Sequence, residues 1–488
     1  MSSDHRRSWR PSDASSSGRI SRYRSSTRTS NTDNHESDVP SHHHRRRFKR
    51  PSDSSSVSHR SPACRPSWAI LSVAGAQRDD FPSDRTTSAT ALTTNGGEIS
   101  VSFDHVEPPG ISVLAVDPPR VPGWKSSSIR PDVLAAHRDV VLVKVYSATL
   151  SSFSTDDCLA NYFVYHANSD PSQRLPSLSL LPVHYHEERS YKGRPDQILL
   201  CKDDTGIMSC RRKEGDNSFV VAMLSMEDIR VDMFWSGSGK WEVFKNLHVH
   251  GANGGPDLQY WSTDAVVADY GCRFLIWVDY YRGMILMHMS LPDESEEKNP
   301  QPPRLRYVPL PVDRVSGDPD DYEAGRGGPG HYRSVCATRY GIKFVSVDSK
   351  HCSNWGVGHM NVLTWNHTFR ITTWSLREDD YTWRKDATMY EDEFLTMLRS
   401  EDHRFPRVTP EHPVVNMENP DAVCFLLKKS PYSYEEPTWM VEVDVKKKVL
   451  LTATAHTKTT SSSIGEKDAI NSVRIGSHDL FFSTELPP

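Results

Sequence analysis

Two pairs of histidines stand at a spacing that could hold a metal ion. The pairs are His184 with His186 and His248 with His250. Residues two apart on an extended strand project from the same face, so both imidazoles of a pair could reach one ion. With Cys201 and Cys210 as further ligands, a zinc site can be drawn. The pairs lie among charged, turn-like residues, which favours solvent-facing histidines, and the sequence predicts no metal site.

Two glycine-rich segments resemble nucleotide-binding loops. Residues 236–240 end in Gly-Lys, but Trp241 follows where a phosphate loop needs Ser or Thr to hold magnesium. Residues 325–330 have neither the preceding strand nor the following helix of a dinucleotide site. We interpret the first segment as a hairpin turn and the second as a surface loop, and we predict no cofactor-binding residue.

Adjacent reactive residues do not form a catalytic arrangement. His351 and Cys352 are neighbours, and neighbouring side chains on a strand point to opposite faces. General acid–base catalysis needs carboxylates that converge on a cleft from different elements, whereas the paired carboxylates are sequence neighbours in loop-like segments. These pairs are Asp79-Asp80, Asp156-Asp157, Asp203-Asp204, Asp320-Asp321 and Asp379-Asp380. The sequence predicts no catalytic residue and favours a protein that is not an enzyme.

The segment around Trp277 allows two interpretations. Trp277, Asp279 and Arg282 could together form a recognition patch at the end of a hairpin. In the structural interpretation, which we favour, Trp277 packs in the core, Asp279 caps the turn and Arg282 pairs with it. Residues 274–278 are apolar on both faces, which is typical of a strand covered on both sides.

The first 62 residues differ in composition from the rest. They contain 19 Ser, 13 Lys or Arg and 6 Asp or Glu, and so little apolar surface cannot offset the entropy of ordering. We predict a disordered, basic tail over residues 1–62. The basic run at 42–50 could be a nuclear-import signal or a weak anion-binding arm, and an organelle transit peptide is a further alternative. A solvated tail without any targeting signal is an equally good interpretation.

Charge, hydropathy and cysteine usage restrict the function. The whole chain has a net charge of −5 and the tail has a net charge of +7, so the remaining chain has a net charge of about −12. This negative charge disfavours nucleic acid as the ligand of the folded body. No stretch is long and apolar enough for a membrane helix. The eight cysteines are scattered without a CxxC pair, as is typical of reduced thiols. We expect a soluble, cytoplasmic or nuclear protein without a cofactor.

From Trp68 onward, short apolar segments alternate with Gly, Pro and Asp. The predicted strands include residues 68–73, 99–103, 111–116, 140–145, 219–224, 233–241, 274–278, 284–289, 342–347, 369–375, 423–427, 439–443 and 449–453. Hairpins with a nearby Trp recur at roughly blade-sized spacing, which favours a mainly β fold with a propeller-like or other multi-sheet body. Two short helices are expected, one over residues 131–138 and one that follows a capping box of Thr388 and Glu391.

The predicted organisation has three parts. After the tail, residues 63–460 form the β-rich, propeller-like body, and residues 461–488 form a partly ordered C-terminal segment. Within the body, residues of about 275–420 form the core of the motifs described next.

Several motifs in this body occur together in one known family. They lie at residues 277–286, 305–311, 332–335 and 341–345, and on the N-terminal side at 66–68, 108–112, 162–165 and 176–182. In combination they resemble the plant family called domain of unknown function 1618, which is abundant in grasses. The similarity covers about residues 66–455.

The resemblance implies a fold and no chemistry. The family has no established activity and no catalytic residues to carry over, and its members are similar to the β-propeller-like domains attached to F-boxes. This chain departs from the family at Met287-His288 and at an extended loop over residues 317–330. It also has no F-box-like helical segment before the β region, so an adaptor role in ubiquitin ligation is not supported.

These observations lead to one main hypothesis, one rival and a third possibility, which is nuclear regulation through the basic tail. The main hypothesis is a soluble interaction module that binds a protein or peptide partner through its loop face. The rival is a hydrolase-type enzyme with a pocket in the β body, because sequence order hides residues that converge in space. Neither the partner nor the oligomeric state follows from the sequence.

Overall fold

The computed structural model describes residues 67–77, 86–117, 131–147, 159–170, 175–191, 194–210, 218–252, 258–289, 302–312, 328–349, 369–429, 437–456 and 481–485. These residues belong to one compact unit. The predicted disordered tail at 1–62 and most of the glycine-rich loop at 317–330 lie outside the described residues.

Within these ranges the strands form six sheets of four or more strands, which we call blades 1 to 6. Blade 1 contains β1 (Trp68–Ser72), β2 (Ala76–Gln77), β3 (Ser88–Leu92), β4 (Glu98–Asp104), β5 (Ile111–Asp117) and the last strand of the chain, β29 (Phe481–Glu485). Blade 2 contains β6 (Pro131–His137), β7 (Val140–Ser147), β8 (Leu159–Asp170) and β9 (Leu175–Leu180). A two-stranded sheet of β10 (Tyr185–Tyr191) and β11 (Arg194–Gln197) follows.

The other four blades come from the rest of the chain. Blade 3 contains β12 (Thr205–Ser209), β13 (Phe219–Ser225), β14 (Arg230–Trp235) and β15 (Lys240–Phe244). Blade 4 contains β16 (Val249–His250), β17 (Ala265–Ala268), β18 (Phe274–Asp279), β19 (Gly283–His288) and β20 (Arg304–Pro309). Blade 5 contains β21 (Arg333–Thr338), β22 (Gly341–Ser349), β23 (Phe369–Arg377) and β24 (Thr382–Tyr390). Helix α1 (Glu391–Glu401) leads to blade 6, which contains β25 (Glu411–Val415), β26 (Ala422–Leu427), β27 (Thr438–Asp444) and β28 (Val449–His456).

A separate hydrophobic core fills the space between each pair of neighbouring blades. Strand β18 shows how one strand serves two cores. Leu275 and Trp277 face blade 3, whereas Ile276 and Val278 face blade 5. Because side chains alternate along a strand, a sheet covered on both sides must be apolar at successive positions. This explains the continuous apolar runs of the sequence.

The blades close into a ring. One strand of each blade is innermost, namely β6, β12, β17, β21, β25 and β29, and each inner strand lies beside the inner strand of the next blade. The sixth core joins the first and last blades, with Trp68 and Ile70 of β1 packed near Val414 of β25. The architecture is therefore mainly β and propeller-like, as the sequence predicted, and among the described residues the structure adds the number of blades, which is six.

Strand β29 supplies the last contact of this ring. It pairs antiparallel with β1, from Trp68 opposite Glu485 to Ser72 opposite Phe481. The predicted body, which stopped at residue 460, leaves out this strand, although it forms the inner strand of blade 1.

Two secondary-structure predictions were wrong. The helix expected over residues 131–138 is strand β6, where burial of Val133, Leu134 and Ala135 in the cores on both sides overrides helix propensity. The single strand expected over 233–241 is a hairpin, because β14 ends at Trp235 and β15 begins at Lys240. The turn between them is the one that the glycine-rich segment predicted.

The second predicted helix exists as α1, but its cap lies elsewhere. Glu393 accepts a hydrogen bond from the backbone N–H of Tyr390 at 2.9 Å, whereas Thr388 still belongs to strand β24. Phe394, Leu395 and Leu398 are buried in the core between blades 5 and 6. Within the described ranges, no helix has the length and apolar character needed to cross a membrane.

Candidate functional site

A cavity of about 110 Å³ lies where the six inner strands converge. All six inner strands or the residues next to them contribute to its wall. The lining residues are 136–138, 202–203, 264–268, 270, 280, 330, 333–337, 412–414, 417 and 483–484. Propeller blades surround a central channel, and this cavity lies in that position.

Hydrogen bonds show that neighbouring inner strands run in the same direction. The hydroxyl of Thr484 in β29 donates to the backbone carbonyl of Arg138, just after β6, at 2.9 Å. The backbone N–H of Ser209 in β12 donates to Nδ1 of His137 in β6 at 3.1 Å. Both contacts join C-terminal ends of adjacent inner strands. Residues at the N-terminal ends therefore gather at the other mouth of the channel.

We call a set of polar and charged residues at this second mouth the channel rim. Its members are Lys202, Asp203, Asp264, Tyr280 and Arg333. The rim carries both signs of charge, and Lys202 and Asp203 are 34% and 54% exposed, with 4.0 Å between their charged atoms. Such a mouth can contact a polar partner outside the channel.

Arg333 is held in one position at the rim. Its Nη1 donates to the backbone carbonyl of Tyr280 at 2.7 Å, and its guanidinium lies 5.5 Å from the ring centre of Tyr281. Asp264 in turn accepts a hydrogen bond from the backbone N–H of Tyr280 at 2.8 Å. Both charged groups are therefore fixed to the same turn, and Nη2 of Arg333 also lies 3.8 Å from Oδ1 of Asp348.

His137 lies at the far end of the cavity and is a neutral imidazole. Its Nδ1 accepts the Ser209 N–H, so the proton of the neutral ring is on Nε2. Nε2 is buried without a hydrogen bond of normal geometry, although the backbone carbonyl of Asp269 is close enough to affect its titration. Burial, assisted by the charge of Arg138, lowers the pKa of His137 to about 3.

A cluster of two histidines and one carboxylate, His331, Glu411 and His412, lies beside the cavity. One nitrogen or oxygen atom of each side chain can be chosen so that all three lie within 4.8 Å of one another. The two imidazole ring centres are 4.5 Å apart, and the hydroxyl of Tyr332 lies 3.5 Å from Oε1 of Glu411. Of these three residues, His412 lines the cavity, so the cluster adjoins the channel through this one side chain.

Burial shapes the titration of this cluster. It raises the pKa of Glu411, against the opposing effects of Lys428 and Tyr332. It lowers the pKa of His412 to about 3, with His331 and Lys428 acting in the same direction. At neutral pH, His412 is therefore an uncharged imidazole with a lone pair on one ring nitrogen.

The histidine pairs predicted from the sequence lie elsewhere. His184 is buried, which corrects the prediction of a solvent-facing side chain: its Nε2 is 2.9 Å from Asp232 and its ring stacks on Trp241. His248 and His250 are exposed and contact each other edge to face. Among the described residues, the group with three potential metal ligands contains none of these.

The cysteines proposed as their partners are also apart. The five-residue strand β12 separates Cys201, which is exposed, from Cys210, which is buried. An extended strand of five residues spans about 17 Å. The two thiols therefore cannot complete one zinc site.

Trp277, Asp279 and Arg282 form a buried structural unit. Trp277 is fully buried, and its indole N–H donates to the backbone carbonyl of Asp204 at 2.7 Å. Asp279 is also fully buried and pairs with Arg282 at 3.1 Å. Asp279 further accepts the backbone N–H of Tyr281 at 2.9 Å. With this burial, Trp277 has no surface to offer a partner, and a recognition role for the rest of the hairpin stays the untested alternative.

The remaining sequence candidates contribute little to the channel. Asp203 lies at the rim, whereas Asp379 and Asp380 lie in the β23–β24 turn beside Arg377. The other carboxylate pairs, together with His351 and Cys352, lie outside the described residues. The sequence reasoning missed His137 and the cluster of His331, Glu411 and His412, since their members come from different blades and elements.

Comparison with known proteins gives a family without a function. Residues 277–424 match the model of a family described as "Protein of unknown function (DUF1618)". No curated protein matches the chain. The match covers the part of the body in which the sequence placed the core of the family motifs.

Similar solved structures are distant. A puromycin-hydrolysing peptidase of Mycobacterium tuberculosis is 11% identical over 68% of this chain, with a TM-score of 0.29, and the chain spans only 39% of that protein. An α-L-arabinofuranosidase, Arb93A, from Fusarium graminearum is 10% identical, with 74% of this chain and 92% of that one covered and a TM-score of 0.24. A tail fibre of the Staphylococcus aureus phage P68 is 8% identical, with 76% and 83% covered and a TM-score of 0.12. At these scores the likeness carries no functional argument.

Proposed function

We propose that the propeller-like body is an interaction module that binds a protein or peptide partner at the channel rim. The size of the cavity carries this proposal. Pockets for drug-sized molecules are typically about 300–1,000 Å³, whereas this cavity has about 110 Å³. It can take one side chain or a chain terminus of a partner, and the charged rim around it can contact the remainder.

The charged groups of the rim also favour a protein or peptide as the partner. Arg333 and Asp264 are fixed on one turn, and Lys202 and Asp203 are partly exposed beside the same mouth. Complementary charges steer association and select among partners. From the family resemblance and the composition of the tail, we place this binding in the cytoplasm or nucleus of a plant cell.

A charge reversal on each face of the ring tests the proposal. Partners are captured from plant tissue with the full chain, identified by mass spectrometry, purified and titrated against the protein. Lys202→Glu is expected to weaken binding of the purified partner at least tenfold. The matched control is Lys240→Glu, because register through β13 and β14 places Lys240 near the C-terminal end of β12, at the opposite mouth. Equal affinity for both variants would exclude the rim.

The rival hypothesis, a hydrolase-type enzyme, has one observation in its favour. His331, Glu411 and His412 combine two imidazoles and a carboxylate beside the cavity. Metal-dependent hydrolases use such ligand sets to activate water. An enzyme of this type requires a bound metal ion, so the metal content of this cluster bears directly on it.

A further inference from the structure

We propose that His331, Glu411 and His412 bind one divalent transition-metal ion at the channel mouth, with Zn²⁺ as the ion that the ligands suit. Two imidazoles with one carboxylate form a recognised three-ligand zinc set, in which a fourth position stays open. Here His412 and the neighbouring Gly330 both line the cavity. A donor from outside the chain can therefore complete the coordination from the cavity side.

The backbone explains how two adjacent residues can serve one site. Side chains of neighbours on a regular strand point to opposite faces, but β25 is irregular after its first residue. Glu411 is opposite Leu426 and Val414 is opposite Cys424, so the register shifts between Glu411 and Val414. His412 within this bulge has a φ of 52°, a left-handed conformation that only a few per cent of residues other than Gly adopt, with Asn, Asp and His the most frequent among them. Bulges of this kind re-aim side chains beside functional sites.

The third ligand comes from the neighbouring blade. His331 ends the 3₁₀ turn Pro329–His331 that precedes β21 of blade 5. Because inner strands β21 and β25 are neighbours in the ring, this turn lies next to the start of blade 6. The cluster therefore joins two blades at one mouth, and a bound ion would cross-link them.

The distances require only a modest closure. In tetrahedral zinc with bonds of 2.0–2.1 Å, ligand atoms lie about 3.3 Å apart. The three candidate atoms lie within 4.8 Å of one another. Side-chain rotations that bring these atoms about 1–1.5 Å closer together are therefore enough to reach tetrahedral zinc geometry. Glu411 is partly buried, and a bound cation would offset the cost of keeping an ionised carboxylate away from water. The charge of Lys428 opposes cation binding and will lower the affinity.

Zinc titration of the full chain tests the site. In every sample His42, His43 and His44 are replaced by Ala, because this run can bind zinc by itself. After removal of metal with a chelator, Zn²⁺ is added in competition with a chromophoric chelator, and thermal unfolding is followed. We expect one Zn²⁺ per chain bound by folded protein, and a rise of the unfolding midpoint on addition of Zn²⁺, since a ligand of the folded state stabilises it.

Matched variants assign the zinc to these residues. The double variant His331→Ala/His412→Ala should lose one Zn²⁺ per chain and the rise of the midpoint. The control His248→Ala/His250→Ala, which also removes two contacting histidines, should keep both. If the double variant unfolds, Glu411→Gln replaces it and should weaken Zn²⁺ binding at least tenfold while the metal-free midpoint stays unchanged.

Two results would overturn the proposal. One is an equal zinc content and an equal rise of the midpoint in wild type, double variant and control. The other is zinc that binds to wild type without any change of the unfolding midpoint. The site does not depend on the interaction function proposed above, because partner binding is measured through Lys202 and metal binding through His331, Glu411 and His412.

Discussion

His137 is the clearest single residue at which burial controls chemistry in the channel. A buried imidazole resists protonation because the charged form would lose its hydration, and here the pKa falls from 6.5 to about 3. The unfolded chain takes up a proton below pH 6.5, whereas the folded protein does so only near pH 3. Stability contributed by His137 is therefore complete above pH 6.5 and decreases as the pH falls towards 3.

We expect this difference to appear as a pH slope. Between pH 6.5 and pH 4, the free energy of unfolding should fall by up to about 1.4 kcal/mol per pH unit because of this one group. Denaturant titrations at several pH values compare wild type with His137→Gln, which can still accept a hydrogen bond from Ser209. The variant should show a slope lower by about this amount. If wild type and variant had equal slopes, folding would not lower the pKa of His137.

Single residues were the least predictable part of the site. His137 follows a run that favours a helix by its local sequence, so nothing nearby indicates a channel. His331 and His412 are far apart in sequence and meet only because two blades are neighbours. A weak signal was present at Pro413, since proline inside a strand marks an edge or a bulge. That signal could have suggested that Glu411 and His412 are not on opposite faces.

At the scale of elements, the inner strands approach one another closely near the channel. Gly206 of β12 shows this most directly. A Cβ atom there would lie 2.6 Å from Cγ1 of Val266 in β17 and 2.9 Å from Cδ1 of Leu275 in β18. Both neighbours are buried in the core between blades 3 and 4, so neither can move away freely. The glycine is required by the spacing of the blades.

Gly206→Ala should therefore lower the free energy of unfolding by about 1–3 kcal/mol, as overpacked cores do. The matched control is Gly237→Ala in the β14–β15 turn, where nothing lies within 4 Å of the added atom. That control should change stability by less than about 1 kcal/mol. Chemical denaturation measures both variants, and a similar small effect at the two positions would contradict the close approach of the blades.

Strands with neighbours on both sides were predicted well. The alternation at residues 274–278 indicated a doubly covered strand, and β18 does serve two cores. The short segment at 131–138 was mispredicted because Leu and Ala at 134–136 favour a helix locally, whereas the position of β6 in the ring is decided by distant contacts. Local propensity has no information on which strand will be innermost.

At the scale of the whole molecule, ring closure depends on the two ends of the body. Hairpins with nearby tryptophans predicted a propeller-like fold, but their irregular spacing gave no blade count. The missing information was the pairing of β29 with β1, which connects residues separated by nearly the entire body. Such a pairing leaves no periodic signal, because the strand belongs to blade 1 in space and follows blade 6 in sequence.

Deletion of residues 481–488 should open this ring. It removes the five pairings between Trp68–Ser72 and Phe481–Glu485, together with the hydrogen bond from Thr484 to Arg138. At roughly 1 kcal/mol for each hydrogen bond, we expect the free energy of unfolding to fall by about 3–5 kcal/mol. The uncovered edge of β1 should also promote aggregation, which light scattering would detect.

A shorter deletion separates ring closure from a general effect of trimming the chain. Removal of residues 486–488 leaves all five pairings of β29 in place, so its unfolding midpoint should equal that of the full chain. If deletion of 481–488 left the midpoint unchanged as well, strand β29 would not stabilise the ring. The core between blades 6 and 1, which contains Trp68, Ile70 and Val414, would then hold the two ends together without it.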